Sequence, residues 1–178
     1  MISTKDIQAV YDKTNSALTV QVKTASTAVA VSKLAGRLYL SDSGWLLLHV
    51  PNALIDALFT ALDEPGIQKP ISENGKLRAH VSVMSKDEVD QLGADNITER
   101  GRVFHYQLGP VKSVEPKTWE NVSKVWYVTV ESNELKQLRK SYGLSALPHG
   151  DWDFHITIAV RKKKVLRSGA ENKLDPIP

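Results

Sequence analysis

The stretch Asp-Phe-His-Ile-Thr-Ile-Ala-Val, residues 153–160, sets two polar side chains into an apolar run. In a β-strand alternate side chains share a face, so His155 and Thr157 lie on one face. The apolar residues of the other face are Phe154, Ile156, Ile158 and Val160. This alternation predicts a strand whose apolar back packs on the core and whose polar front lines a cleft.

The same pattern occurs upstream in Arg-Ala-His-Val-Ser-Val-Met, residues 78–84. There His80 and Ser82 share one face, and Ala79, Val81 and Val83 lie on the other. Each motif lies on the last strand of a similar series, which runs from a strand through a helix and a loop to this final strand. This order of elements predicts a degenerate internal duplication.

The helices and strands of each half are predicted from the spacing of apolar residues and from the residues that begin and end each element. In the first half, the apolar runs at 36–40 and 45–50 predict a β-hairpin. A helix capped by Asn52 is predicted to extend to Pro65-Gly66, and a short helix is predicted to start at Ser85. In the second half, strands at 102–114 and 124–131 precede a helix at 133–142 that Gly143 ends. Residues 1–35 form an extension, with a helix at 3–14 and an extended segment at 17–34.

Composition narrows the class of protein. The chain has 178 residues, of which 42% are hydrophobic and 24% charged, as expected for one soluble globular domain. The net charge of +3 permits an anionic ligand without indicating a nucleic-acid coat protein. Cysteine is absent, which excludes disulfides, thiolate nucleophiles and zinc–thiolate sites. No membrane span or signal peptide is recognisable, so a cytoplasmic location is expected.

An imidazole with a hydroxyl two residues along suits a phosphate ligand. The hydroxyl donates to a non-bridging oxygen, while the imidazole moves a proton to or from the reacting oxygen. Two such pairs across a cleft supply the base and the acid of phosphodiester displacement, with no metal or cofactor required. A metal site is disfavoured, because the chain has no H-x-H or H-E-x-x-H pattern, and no glycine-rich phosphate loop is present.

These two motifs resemble the paired H-x-[ST]-x signatures of the 2H phosphoesterase superfamily. That superfamily includes 2′-5′ RNA ligase-like proteins, cyclic phosphodiesterases and phage-type enzymes that cleave cyclic oligonucleotides. The resemblance covers the order of elements from Trp45 to Arg161. Two features depart from the family pattern: the first motif has Ser82 followed by Val-Met, and an extension precedes the first hairpin.

The resemblance implies an α+β fold over residues 1–178. It is a bilobal domain in which two pseudo-symmetric lobes, about 36–95 and about 102–162, each carry an antiparallel sheet and helices around a central cleft. His80 and His155 become the general acid/base pair, and Ser82 and Thr157 the phosphate-binding hydroxyls. The implied activity is metal-independent cleavage or ligation at 2′,3′-cyclic or 2′-5′/3′-5′ phosphodiesters.

Several further residues near the motifs have a functional and a structural interpretation. His149 and Trp152 lie just before the second motif and are either substrate contacts, with Trp152 stacking on a base, or parts of a packed loop. Lys76 and Arg78 flank the first motif and either neutralise phosphate or are solvated.

The remaining histidines and the basic run are weaker candidates for functional residues. His49 and His105 read as structural strand residues. The basic run at 161–167 is either a solvated strand end or an RNA-binding segment.

The expected partner is RNA or a small nucleotide, with no membrane and no obligate protein partner. The alternatives to the RNA phosphoesterase are cleavage of cyclic oligonucleotide messengers and a non-catalytic RNA-binding module. The residues themselves leave open which imidazole is the acid and whether the enzyme hydrolyses or ligates.

Overall fold

The computed structural model describes residues 33–70, 79–148 and 152–163. The helix predicted at 3–14 and nearly all of the extended segment predicted at 17–34 lie outside these residues. None of the described helices is long and apolar enough to cross a membrane.

The described residues form six strands and three helices. The strands are β1 (Leu34–Leu40), β2 (Leu46–His49), β3 (His80–Met84), β4 (Val103–Val114), β5 (Val122–Glu131) and β6 (Phe154–Lys162). The helices are α1 (Asn52–Leu62), α2 (Lys86–Leu92) and α3 (Asn133–Ser141), with a 3₁₀ turn at Ala94–Asn96.

The strands form one antiparallel sheet in the order β3-β2-β1-β4-β5-β6. The α+β class and the antiparallel pairing are therefore confirmed. The two halves share this sheet instead of carrying one sheet each, because β1 pairs with β4 over Leu34–Arg37. The division into two pseudo-symmetric lobes stays a prediction.

The sheet curls until its two edge strands meet. β3 and β6 stand at opposite ends of the strand order, yet their Cα atoms approach within 8 Å of one another. Helices α1 and α3 contact β6 and β3 respectively, and their buried residues join the core on the apolar face of the sheet. Since a barrel of even eight strands has an interior filled by side chains alone, the helices lie outside the curl. The polar face is therefore the inner, concave face.

The core is one cluster that spans both halves of the chain. Leu48 of β2, Val83 of β3, Val128 of β5 and Ile156 of β6 are all fully buried in it. Each such side chain contributes on the order of 1.5–3 kcal/mol when removed from water. One shared core holds the curl together and fixes the two motif-bearing strands relative to each other.

Most predicted helix boundaries are confirmed, with two differences in α1. Ser85 and Glu88 form a reciprocal capping box at the start of α2, and Gly143 follows α3 with a φ of 72°. Asn52, predicted as the cap of α1, is its first residue, and its Oδ1 instead accepts from the backbone N–H of Ala79 at 2.9 Å. α1 also ends earlier than predicted, at Leu62, because Asp63 adopts a left-handed conformation with φ 44°.

Candidate active site

The first motif lies on β3 as the alternation predicts. His80 and Ser82 are half-buried, whereas Val81 and Val83 are fully buried on the opposite face. The polar pair therefore faces the concave side of the sheet, and the two valines anchor the strand in the core.

The second motif lies on β6 with the same orientation, and a bulge modifies the end of the pattern. His155 and Thr157 are half-buried. Thr157 pairs with Tyr127, but the next pair on that side is Trp126 with Ala159, so Ile158 is an extra residue. Beyond this bulge the alternation shifts by one position.

Val160 is therefore misplaced by the sequence pattern. Ile158 and Ala159 are both fully buried, and Val160, predicted for the apolar back, is only half-buried. Its backbone instead pairs with Gln68, which lies beyond α1. The prediction for Val160 is wrong because a bulge resets the period of two.

The contact between β3 and β6 brings the two motif strands together. Both polar pairs lie on the concave face, on the two edge strands whose Cα atoms approach each other. Their separation along the chain, from 80 to 155, is bridged by tertiary structure alone.

Local contacts fix the ring of His155. Its Nδ1 lies 3.0 Å from the carbonyl oxygen of Asp153. A carbonyl oxygen can only accept a hydrogen bond, so Nδ1 is the donor in this contact. The ring of Tyr127 packs against His155 with 5.1 Å between centroids. These two contacts hold the imidazole in one orientation.

The segment before β6 is tied to the sheet by an ion pair. Lys112 Nζ lies 3.0 Å from Asp153 Oδ2, and Lys112 stands opposite Tyr127 in the pairing of β4 with β5. This contact holds the residue whose carbonyl oxygen orients His155.

A family model described as the Swiss Army Knife 2H phosphoesterase domain matches residues 45–166, more than half of the chain. The chain belongs to the 2H phosphoesterase family. Members of this family are generally phosphodiesterases or ligases, so the domain points to phosphodiester chemistry in general. No curated protein and no solved structure matches the chain.

In this 2H phosphoesterase, a buried arginine supports the strand of the first motif. Arg139 of α3 has no exposed surface, and its Nη1 donates to the carbonyl oxygen of Val83 at 2.6 Å. Its Nη1 and Nη2 also bind both carboxylate oxygens of Glu88 at 3.0 and 2.7 Å. Arg139 therefore fastens a helix of the second half to β3 and α2 of the first half.

Burial and hydrogen bonding shift the pKa of the Glu88 carboxyl in opposite directions. Burial raises the pKa of this carboxyl, but the hydrogen bonds from Arg139 and from the backbone N–H of Ser85 outweigh it, so the pKa lies below the ordinary value. Glu88 is thus an anion at neutral pH, matched to the guanidinium. The sequence held a signal for this contact, since Arg139 lies four residues after Leu135 on the apolar stripe of α3.

The other predicted contacts have different outcomes. Trp152 is exposed, with 51% of its surface accessible directly before β6. Lys76, Arg78 and His149 lie outside the described residues, and their roles stay predictions. In the described part of the basic run, Arg161 forms an ion pair with Glu64 at 3.1 Å, whereas Lys162 and Lys163 are exposed.

A small cavity elsewhere on the sheet is distinct from the motif residues. It is lined by residues of β4, β5 and the start of α3, among them His105 and Glu134. His105 Nδ1 lies 3.2 Å from Glu134 Oε1, and the backbone N–H of His105 donates to Glu134 Oε2 at 3.0 Å. That backbone hydrogen bond is the main reason why the pKa of Glu134 is lowered. His105 is thus bound to Glu134 through both its ring and its backbone N–H.

Proposed function

We propose that this 2H phosphoesterase cleaves nucleotidyl phosphodiesters by general acid/base catalysis with His80 and His155. The observation that supports the proposal is the meeting of β3 and β6, with both polar pairs on the concave face. The substrates are 2′,3′-cyclic phosphates or 2′-5′/3′-5′ linkages of RNA. The reaction is cleavage; ligation is the attack of a 5′-hydroxyl on a 2′,3′-cyclic phosphate, which is the reverse of cleavage by the neighbouring ribose hydroxyl.

The steps balance without any further reactant than water. One neutral imidazole takes a proton from the attacking water, or from a ribose hydroxyl, as that oxygen bonds to phosphorus. The bond from phosphorus to the leaving oxygen breaks, and the second, protonated imidazole donates its proton to that oxygen. The two rings end with exchanged protonation states, and proton exchange with solvent restores them.

The hydroxyls of Ser82 and Thr157 hold the phosphoryl group. Each stands two residues from its histidine on the same strand face, so it lies beside the ring along the strand. Each hydroxyl donates a hydrogen bond to a non-bridging oxygen, and this bond strengthens as negative charge develops in the transition state. Trp152 stacks on a base of the substrate, a role that its exposure just before β6 supports.

The experiment is a substrate panel in the presence of EDTA. It contains adenosine 2′,3′-cyclic phosphate, a 2′-5′-linked adenylate and a cyclic dinucleotide, tested with wild type, His80→Ala and His155→Ala. We expect each substitution to lower kcat by roughly 10²- to 10⁴-fold, because each imidazole serves a separate proton transfer. His105→Ala is the matched control, since His105 also lies on a strand of the sheet but is bound to Glu134.

The outcomes separate the candidate functions. Full activity in either His80→Ala or His155→Ala refutes the paired mechanism, and loss of activity in EDTA refutes the metal-independent reaction. Turnover of the cyclic dinucleotide alone selects the cyclic-oligonucleotide enzyme. Binding of RNA with no turnover of any substrate selects the non-catalytic RNA-binding module.

A further inference from the structure

A row of three nitrogen-rich side chains crosses the first three strands. His49 of β2 pairs directly with His80 of β3, and Arg37 of β1 pairs directly with His49. Residues opposite each other in antiparallel strands share a face, with Cβ atoms about 4.5–5.5 Å apart. Arg37, His49 and His80 therefore form one row on the concave face.

Two members of this row, Arg37 and His49, are open to a ligand. Arg37 and His49 are both exposed, and their neighbours Leu38 and Leu48 on the other face are fully buried. Arg37 Nη1 donates to the carbonyl oxygen of Gly101 at 2.6 Å, which holds the guanidinium in place without neutralising it. Within the part of the chain that the structure describes, no carboxylate forms an ion pair with Arg37.

The ring of His49 is also held on this face. It meets the ring of Tyr39 edge-on, with 6.3 Å between the centroids. Tyr39 lies two residues after Arg37 on β1 and so stands on the same side of the sheet. The imidazole is thereby supported from β1 beside the arginine.

The corresponding row in the second half offers no free cation. Thr129 stands opposite His155, is buried, and donates its hydroxyl to the carbonyl oxygen of Pro110 at 3.3 Å. The nearest lysine along β4, Lys112, is engaged by Asp153. Among the described residues of these two rows, the cation that forms no ion pair with a carboxylate is therefore Arg37 of β1.

We propose that Arg37 and His49 form a subsite for a second phosphate of the substrate, next to the phosphate that reacts between His80 and His155. This inference rests on the proposed function. Neighbouring strands lie about 4.8 Å apart, so β1 is roughly 10 Å from β3. The substrate class is a nucleotide with a phosphate on each side of one nucleoside, in a linear or a cyclic oligonucleotide, in preference to a nucleoside 2′,3′-cyclic monophosphate.

The test compares two substrates that differ by one phosphate. These are adenosine 2′,3′-cyclic phosphate and the same nucleotide with a 5′-phosphate, with a cyclic dinucleotide as a separate arm that distinguishes cyclic from linear sources. We expect kcat/KM to be about tenfold higher for the doubly phosphorylated substrate, and this ratio to fall toward one in Arg37→Gln and in His49→Gln. The ratio should also fall as salt rises, because the added contact is electrostatic and exposed.

The control is His105→Gln, which changes the same residue type on a neighbouring strand of the sheet. Its ratio of kcat/KM values should equal that of wild type, because His105 is already bound to Glu134. A wild-type ratio near one, or a ratio that Arg37→Gln and His49→Gln leave unchanged, overturns the subsite.

A binding measurement keeps the subsite testable if the protein turns over no substrate. Thymidine 3′,5′-bisphosphate and thymidine 3′-monophosphate lack the attacking 2′-hydroxyl, so their affinities are measured by calorimetry without any reaction. The subsite predicts tighter binding of the bisphosphate in wild type and equal binding of both in Arg37→Gln. Absence of turnover with this preference intact rejects the proposed reaction alone, whereas equal affinities in wild type reject the subsite.

Discussion

Replacing Arg139 by methionine removes the contact that joins the two halves behind the motif strands. The guanidinium is fully buried, donates to the carbonyl oxygens of Val83 and Ser145 at 2.6 and 2.8 Å, and binds both oxygens of Glu88. Methionine fills much of the same volume but donates nothing. The substitution therefore leaves a carboxylate and backbone carbonyl groups in the interior without these donors.

The structure sets the size of the expected effect. Removing one partner of a buried ion pair costs about 3–5 kcal/mol, because the remaining charge stays desolvated. For a domain of this size each kcal/mol lowers the melting temperature by about 2–4 °C, so we expect Arg139→Met to melt roughly 6–20 °C below wild type. Since the total stability of a domain is about 5–15 kcal/mol, the variant is to be studied at low temperature.

The assay is urea unfolding at neutral pH, with Arg161→Met as the control. Arg161 binds Glu64 at 3.1 Å and lies 4.9 Å from the ring centre of Trp126, but its side chain is 35% exposed. A surface pair and an exposed cation–π contact together contribute about 1–2 kcal/mol. Arg139→Met should therefore cost at least twice as much as Arg161→Met.

A double-mutant cycle with Glu88→Gln isolates the pair itself. We expect a coupling energy of about 1–3 kcal/mol between Arg139 and Glu88, as for residues that share a buried network. If Arg139→Met costs no more than Arg161→Met, or if the coupling is zero, the guanidinium does not fasten the two halves and the reasoning is refuted.

Three further predictions concern the sheet, the acid limit and the base contact. Gly36→Ala should lower stability by roughly 1–3 kcal/mol in urea unfolding, because the new methyl group lies 2.7 Å from Cγ of the buried Leu48; an unchanged midpoint contradicts the close packing. Because the folded pKa of Glu88 is lowered, its stabilisation is complete above its ordinary pKa of 4.5 and is lost as pH falls through the folded pKa. Unfolding of wild type and Glu88→Gln should thus converge on acidification, and a constant difference argues against the lowered pKa. Trp152→Ala should raise KM by about 5- to 150-fold, the equivalent of about 1–3 kcal/mol of stacking. Trp119 is equally exposed, at 51%, and Trp119→Ala should leave KM unchanged. Equal effects of the two substitutions on KM reject base stacking by Trp152.

Local pattern predicted the elements near the motifs well. The box of Ser85 and Glu88 begins α2, and the alternation of His80 and Ser82 with buried valines is confirmed on β3. These features depend on neighbours within a few residues, where periodicity and capping act directly. Val160 was misplaced because the bulge at Ile158 depends on β5, which is distant in sequence.

The interpretation of His49 as purely structural shows the limit of local pattern. Nothing in residues 45–50 indicates that His49 stands opposite His80, because strand register is set by pairing between segments about 30 residues apart. The same holds for Arg37, which enters the row only through the pairing of β1 with β2.

The sequence by itself determined the family signature and the face on which each polar pair lies, because side-chain alternation has a period of two and is readable along a single strand. Tertiary structure alone decided that β3 and β6 meet, that both halves share one sheet, and that Arg37 and His49 join the row of His80. These features depend on strand register and on the curl of the sheet around a common core. Both are fixed by contacts between residues far apart in the chain, so no short stretch of sequence contains them.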